Sequence, residues 1–210
     1  MTTLFISNDD ITPAADIIKN GGVVGVPTET VYGLAANGLD AAAVQKIYDV
    51  KNRPETKPIS LLVTSMKDAE NFCRDIPAAA DLLAEKFWPG PLTMILFKKD
   101  NVPPIVTAGG ETVGVRCPDH PKTLALIAKS GVPLATPSAN LSGAPSLITA
   151  AGVFEAFDGK IEAVVDGGPC AVGVASTIVD LTVTPFRILR CGGLPPRDIE
   201  TALGLPPGTM

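Results

Sequence analysis

The apolar residues of the chain follow two patterns, and each pattern predicts a different element. After Asp40, a residue type that suits a helix N-cap, Val44, Ile47 and Tyr48 lie on one helical face and predict an amphipathic helix. Short apolar runs such as residues 23–26 predict buried strands instead. Helices are predicted to begin at residues 12, 40, 65, 77, 120, 149 and 196. Strands are predicted at residues 23–26, 58–64, 92–97, 113–116, 132–136, 163–165, 176–181 and 186–189.

Strands and helices alternate along most of the chain, and strands cluster near its end. This order predicts an α/β fold with a mixed sheet and helices on its faces. No stretch of linker-like composition divides the sequence. We therefore expect a single domain over residues 1–210.

The composition is that of a protein with a full core. Hydrophobic residues make up 46% of the chain and charged residues 19%, with a mean hydropathy of +0.29. No apolar run approaches the roughly 18 residues of a membrane helix, and the first residues lack the basic start of a secretory signal. The four cysteines form no CxxC pair, which disfavours a zinc knuckle. We expect a cytoplasmic protein with free thiols and no membrane contact.

The charge balance limits the classes of ligand. The net charge is -5 and the isoelectric point is about 4.9, whereas a protein that mainly grips nucleic-acid backbones usually has a broad basic surface. The balance is compatible with a small anionic substrate in a locally basic cleft.

Three polar segments each follow or close a predicted strand, where ligands collect in open α/β sheets. They read PTETVYGLAA at 27–36, KNRPETKP at 51–58 and ATPSANLSG at 135–143. In the second, Lys51, Arg53 and Lys57 can point at one anion from an extended backbone. Taken singly, each segment is also compatible with a capped turn or a solvated loop.

Together these segments strongly resemble the YrdC/Sua5 family, the threonylcarbamoyl-AMP synthases. The family pattern combines a PTET-VYGL stretch, a K-x-R-P stretch and an S-x-N stretch, here at 27–34, 51–54 and 138–140. Further matching stretches are FWPGPLT from Phe87, TVGVRCPDHP from Thr112, STIVDL from Ser176 and ILRCGG from Ile188. The order and spacing agree over about residues 12–192.

The resemblance implies a fold and an activity. The fold is a twisted open mixed α/β sheet with flanking helices and a deep positive cavity (YrdC/RibB-like). The activity is that of a nucleotidyltransferase, an L-threonylcarbamoyladenylate synthase, which joins L-threonine, bicarbonate or CO2, and ATP, and releases pyrophosphate. The product serves the N6-threonylcarbamoyladenosine modification of tRNA. The resemblance covers the synthase domain, and we expect no appended C-terminal Sua5 domain.

The resemblance also implies site residues. The positions matched to catalysis are Lys51, Arg53, Ser138 and Asn140. The positions matched to ATP are Lys51, Arg53, Lys57, Thr112, Thr136, Ser138, Asn140, Ser146 and Arg190. The positions matched to L-threonine are Thr30, Leu62, Arg116, Ser138 and Ser176. Many relatives have asparagine in place of Lys57, so the role of that lysine stays open.

A magnesium ion is expected to arrive mainly on the ATP phosphates, and its protein ligands stay unknown. The expected partner is a downstream tRNA threonylcarbamoyltransferase complex. Weak contact with tRNA or double-stranded RNA stays open.

Two other functions are alternatives to the synthase activity that the resemblance implies. An RNA-binding or ribosome-maturation factor of the same fold would also use a positive concave surface, although the acidic balance disfavours it as the main role. A sugar-phosphate enzyme such as a dihydroxybutanone-phosphate synthase would want acidic metal ligands, usually with histidine. The chain has one histidine, His120, which is better explained as a helix-start or surface residue than as a catalyst.

Overall fold

The structure is a computed structural model that describes residues 2–206 and 208–209. Of the predicted domain 1–210, residues 1, 207 and 210 therefore lie outside the described residues. The helices are α1 Thr12–Lys19, α2 Ala41–Lys51, α3 Met66–Ala69, α4 Ala78–Phe87, α5 Pro121–Ser130, α6 Ala150–Phe157 and α7 Pro196–Ala202. The strands are β1 Leu4–Ile6, β2 Val24–Val26, β3 Gly33–Asn37, β4 Leu61–Leu62, β5 Cys73–Arg74, β6 Leu92–Lys98, β7 Thr112–Arg116, β8 Leu134–Ala135, β9 Ala163–Val165, β10 Thr177–Asp180 and β11 Arg187–Arg190.

Polar side chains cap the starts of α2, α3 and α6. Asp40 accepts hydrogen bonds from the backbone nitrogens of Ala42 and Ala43 at 2.9 and 3.3 Å, which satisfies two free donors of α2. Ser65 caps α3 in the same way. At its other end α5 stops at Gly131, whose φ of +72° is left-handed and suits glycine.

The strands form one mixed sheet in the order β1-β9-β2-β3-β8-β4-β7-β6-β10-β11, with β5 paired to β6. The pairs β1–β9, β9–β2, β4–β7 and β6–β10 are parallel, and the other neighbours are antiparallel. The mixed α/β fold predicted from the sequence is confirmed.

Both faces of the sheet are covered, as the alternation of side chains shows. Leu61 and Val164 point into the larger apolar cluster, whereas their neighbours Leu62 and Val165 belong to the smaller one. The helices α2, α4, α6 and α7 pack on the first face, and α1 and α5 pack on the second. Helix α2 therefore lies on the same face as α4, with Lys51 at its end.

The largest difference from the sequence prediction lies in residues 27–38, for which the sequence predicts neither a helix nor a strand. Residues 33–37 form strand β3 in the middle of the sheet. Its residues, Gly-Leu-Ala-Ala-Asn, are small and weak in strand propensity, and tertiary packing overrides that preference. The predicted strands at 58–64 and 132–136 shorten to Leu61–Leu62 and Leu134–Ala135.

Strands β1 and β5 were not predicted, because each is an edge segment of two or three residues. No helix in the described ranges is long and apolar enough to cross a membrane.

The cap of α2 gives a test of this fold. We expect Asp40→Ala to lower the free energy of unfolding by about 1 kcal/mol, because two backbone donors lose their acceptor. Asp40→Asn keeps a side-chain acceptor and should stay within a few tenths of a kcal/mol of the parent. Urea denaturation measures both, and equal losses in the two variants would show that the cap is not the cause.

Candidate functional site

A polar cavity of about 260 Å³ lies where the three polar segments of the sequence meet. Arg53, Arg116 and Arg190 line it, and none of the lining residues in the described part of the chain is acidic. The lining is therefore positive, although the whole chain is acidic. Such a pocket attracts anions locally.

The first segment, residues 27–30, contributes a directed pair of hydroxyls. Thr28 donates its hydroxyl hydrogen to the carbonyl of Val31 at 2.6 Å, and its oxygen lies 2.9 Å from the hydroxyl of Thr30. Because the hydrogen of Thr28 is already committed, Thr30 must be the donor within this pair. The oxygen of Thr30 is then left as a hydrogen-bond acceptor beside the cavity.

The S-x-N segment is held by its own side chains. Ser138 donates to Asn140 Oδ1 at 2.5 Å, and Asn140 Nδ2 donates to the carbonyls of Leu141 and Ala144 at 2.8 Å each. Ser138 thus also presents an acceptor oxygen. The side chain of Asn140 stabilises the conformation of the loop through these three hydrogen bonds.

Lys51 lies behind this loop and not in the cavity wall. Its side chain is buried, and Nζ donates to the carbonyl of Ser138 at 2.5 Å and to that of Asn140. The carbonyl of Lys51 accepts the backbone N–H of Ser142 at 3.0 Å. Burial, with a smaller effect of the Arg53 charge, lowers the pKa of Lys51 from 10.5 to about 8.

Glycines allow the segments to approach each other. Gly33 forms an isolated antiparallel bridge with Ser138, and a Cβ on Gly33 would lie 2.3 Å from Thr136 Cγ2. A Cβ on Gly192 would lie 2.2 Å from the carbonyl of Ala175. Any larger residue at either position would push a cavity wall outward.

Arg116 sits at the end of β7 and is nearly buried. Its Nη2 donates to Glu29 Oε1 at 2.6 Å, and its Nε donates to the carbonyl of Gly90 at 3.1 Å. Glu29 Oε2 accepts the backbone N–H of Asp119 at 3.1 Å. The two contacts hold the guanidinium in one orientation at the cavity.

Arg190 faces Arg116 across the site from β11. It donates through Nε and Nη2 to the carbonyl of Ser176 at 3.0 and 2.8 Å, and through Nη2 to the Ser176 hydroxyl at 3.1 Å. That hydroxyl also lies 2.8 Å from the hydroxyl of Thr93. Partial desolvation and the charge of Arg116 lower the pKa of Arg190.

Arg53 is attached to the loop that follows α2. Its Nε and Nη2 donate to the carbonyls of Lys57 and Pro58 at 3.2 and 2.9 Å. The hydroxyl of Tyr48 donates to the same Lys57 carbonyl at 2.9 Å. Partial burial lowers the pKa of Arg53.

The sequence of the chain matches one family over most of its length. Residues 16–192 match the family model Sua5_yciO_yrdC, described as "Telomere recombination". The chain belongs to the Sua5/YrdC family. The family predicted from the sequence motifs is therefore confirmed.

The chain is also similar to individual members of the Sua5/YrdC family. The threonylcarbamoyl-AMP synthase of Pyrococcus abyssi is 48% identical over 191 residues, which are 91% of this chain and 56% of the relative. The threonylcarbamoyl-AMP synthase of Bacillus subtilis is 45% identical over 202 residues, which are 96% of this chain and 58% of the relative. The crystal structure of P. abyssi Sua5 complexed with L-threonine matches with a TM-score of 0.94 and 45% identity, over 97% of this chain and 61% of that one. The chain spans less than two thirds of these relatives.

The structure brings nine of the thirteen site residues expected for the Sua5/YrdC family to one cavity. The nine that line it are Thr30, Arg53, Leu62, Arg116, Thr136, Ser138, Ser146, Ser176 and Arg190. They come from distant parts of the chain, so their convergence could not be read from sequence spacing. Their individual roles stay predictions.

Four expected residues do not line the cavity. Lys51 and Asn140 lie behind it and hold the S-x-N loop. Lys57 is exposed, and its backbone carbonyl holds Arg53. Thr112 begins β7, about 13 Å along the strand from the cavity at the Arg116 end, and does not line it. Its expected contact with ATP stays a prediction.

Sequence reasoning missed two lining residues with hydroxyls and one supporting carboxylate. Ser60 and Thr93 line the cavity from the segments that follow Pro58 and Pro91. The carboxylate is Glu29, which lies inside the PTET motif and was not predicted as a site residue. Its place in a motif was the one available signal, since its partner Arg116 is 87 residues away.

Residues 2–206 and 208–209 contain no candidate site for a resident metal ion. They contain no group of three or more histidine, cysteine, aspartate or glutamate side chains that could hold an ion. The lining of the cavity has arginines and hydroxyls and no carboxylate among the described residues, so it does not offer the anionic oxygen ligands that a resident divalent ion prefers.

The lowered pKa of Lys51 gives a prediction for stability. Between pH 8 and 10.5 the unfolded chain keeps the Lys51 proton and the folded chain releases it, so rising pH favours folding. The free energy of unfolding of the parent, relative to that of Lys51→Met, should rise by roughly 1.5 kcal/mol from pH 8 to 9.5, because the folded-state lysine is still half protonated at pH 8. Urea denaturation at each pH measures this difference, in which the tyrosines and cysteines common to both proteins cancel. A difference independent of pH would contradict the buried, titrating lysine.

Proposed function

We propose that this chain is a threonylcarbamoyl-AMP synthase, a nucleotidyltransferase that uses L-threonine, bicarbonate or CO2, and ATP. The observation that carries the proposal is the meeting of three arginines and several hydroxyls at one cavity with no acidic lining. Relatives named threonylcarbamoyl-AMP synthase, at 45–48% identity, support it.

The threonine end of the cavity is assigned to Arg116, Thr30 and Ser176. Arg116 offers a planar fork for the α-carboxylate. Thr30 offers an acceptor oxygen, which suits the amino group or the side-chain hydroxyl of the substrate. The backbone at Leu62 completes this end. The complex of P. abyssi Sua5 with L-threonine supports an amino acid subsite in this fold.

The ATP end is assigned to Arg53 and Arg190, with Thr136, Ser138 and Ser146 as hydroxyl partners. Arginine forks can contact several phosphate oxygens at once. Lys51 and Asn140 act on ATP through the loop that they hold, and exposed Lys57 can reach phosphates from the rim. Magnesium enters with ATP as part of the substrate.

The proposed chemistry needs no protein nucleophile. The amine of threonine attacks CO2 and loses a proton, which gives N-carboxy-threonine. An oxygen of this carbamate attacks the α-phosphorus of ATP, and the bond to the β-phosphate oxygen breaks with release of pyrophosphate. The chain's own part is to align the reactants and to neutralise charge on the leaving phosphates.

The alternatives from the sequence are less well supported. The names of the relatives favour adenylate synthesis over an RNA-binding role. A sugar-phosphate enzyme would want a metal-binding set of acidic and histidine side chains, and the described residues hold no such set. Delivery of the product to a tRNA-modifying transferase remains part of the proposal.

The direct test supplies ATP, magnesium, L-threonine and bicarbonate to the purified chain. Pyrophosphate release that requires threonine, together with threonylcarbamoyl-AMP in the mass spectrum, is the expected result. Folded protein that releases no pyrophosphate and binds RNA in a salt-dependent way would refute the proposal in favour of the RNA-binding alternative.

The two ends of the cavity predict different kinetic losses. Arg116→Ala should raise KM for threonine at least tenfold and change KM for ATP less, because the carboxylate loses its fork. Arg53→Ala should lower the rate of adenylate formation at least tenfold through loss of a phosphate contact. Steady-state kinetics with each substrate varied in turn measures both, and equal effects on both substrates in Arg116→Ala would contradict the division of roles.

A further inference from the structure

Glu29 has no role in the proposed reaction, yet it is the charged partner of a cavity arginine. Its side chain is 10% exposed and that of Arg116 is 8% exposed. A buried carboxylate is costly unless it is paired and hydrogen-bonded, and each oxygen of Glu29 has a partner. The contacts of Glu29 therefore deserve a functional explanation.

Glu29 connects three segments of the chain: its own loop, residues 116–119 and the loop at Val172. Oε1 accepts from Arg116 at the end of β7, and Oε2 accepts from the backbone of Asp119 just before α5. The backbone carbonyl of Glu29 accepts from Val172 at 2.8 Å. The residue thus couples the loop that carries Thr30 to the strand that carries Arg116.

The contacts of Arg116 leave part of its donor set free. A guanidinium has five N–H groups in one plane. The carbonyl of Gly90 takes the Nε hydrogen and Glu29 takes one on Nη2. Three donors on Nη1 and Nη2 remain, and they can bind a carboxylate with two parallel hydrogen bonds. Both existing contacts fix the plane in which this pair would form.

Glu29 also sets the charge at the cavity. Arg53, Arg116 and Arg190 bring three positive charges to the lining, and Glu29 offsets one of them from behind. A neutral residue at position 29 would make the site more positive. That change favours a polyanion such as ATP and gives no net attraction to a zwitterion such as threonine.

We propose that Glu29 is a positioning residue that orients Arg116 for the α-carboxylate of the amino acid substrate. This inference rests on the proposed function. Glu29 touches no substrate atom. It acts by holding the guanidinium of Arg116 between its own carboxylate and the carbonyl of Gly90.

The test is calorimetry of Glu29→Gln with L-threonine and, separately, with magnesium-ATP. Glutamine keeps the shape but can accept only one of the two hydrogen bonds. We expect threonine affinity to fall about tenfold, while ATP affinity stays the same or rises. A residue that served only stability would not weaken the binding of L-threonine while leaving the binding of magnesium-ATP unchanged or stronger.

Asp75→Asn is the matched control. Asp75 pairs with Arg74 on the surface, outside the cavity lining, and asparagine tolerates its left-handed φ of +52°. The control removes the same charge and should leave both affinities unchanged. If Glu29→Gln does not fold, Glu29→Asp takes its place. Aspartate keeps the charge but has a side chain one carbon shorter. The affinity for L-threonine should therefore fall, while the affinity for magnesium-ATP should not.

The outcomes separate the two proposals. A threonine loss below threefold in the folded variant, or an equal loss for ATP, overturns the role of Glu29 and leaves the proposed function standing. If the parent chain itself binds no L-threonine, the proposed function fails, and this inference fails with it.

Discussion

Main-chain carbonyl oxygens hold the three arginines of the cavity and the lysine behind its wall. Arg53 donates to two of them, Arg116 to one and Arg190 to one, and Lys51 donates to two from behind the wall. Guanidinium groups of like charge repel each other in a partly dry cavity. Carbonyl dipoles that are fixed by the fold offset this repulsion before any anion arrives. The cations therefore need little reorganisation when substrate binds, which is the condition for electrostatic catalysis.

The sheet makes this arrangement possible because its central strands run in opposite directions. Strand β8 pairs antiparallel with both β3 and β4, which places the S-x-N loop beside the PTET loop. Strand β4 then pairs parallel with β7, so Leu62 lies next to Arg116 in register. Small residues are needed where these segments cross, as at Gly33. Fold and site thus depend on the same contacts.

Sequence reasoning predicted the helices well because their signals are local. Asp40 and Ser65 mark helix starts by their side-chain chemistry, and the structure uses both as caps. Strand β3 was missed because its short, small-residue sequence has no local strand signal. For the site, motif resemblance identified the cavity residues but could not tell the direction of a side chain. Lys51 was therefore expected at the phosphates, although its ammonium turns to the carbonyls of the loop.

The directions of the hydroxyl hydrogens complete the description of the ligand. Ser138 gives its hydrogen to Asn140, and Thr30 gives its hydrogen to Thr28, so both present acceptor oxygens. The arginines present only donors. A matching ligand must then have anionic oxygens for the arginines and N–H or O–H groups for the hydroxyls. An anion without N–H or O–H groups satisfies only the first requirement. An amino acid beside a nucleotide satisfies both, because the ammonium and the ribose supply donors where the carboxylate and the phosphates supply acceptors.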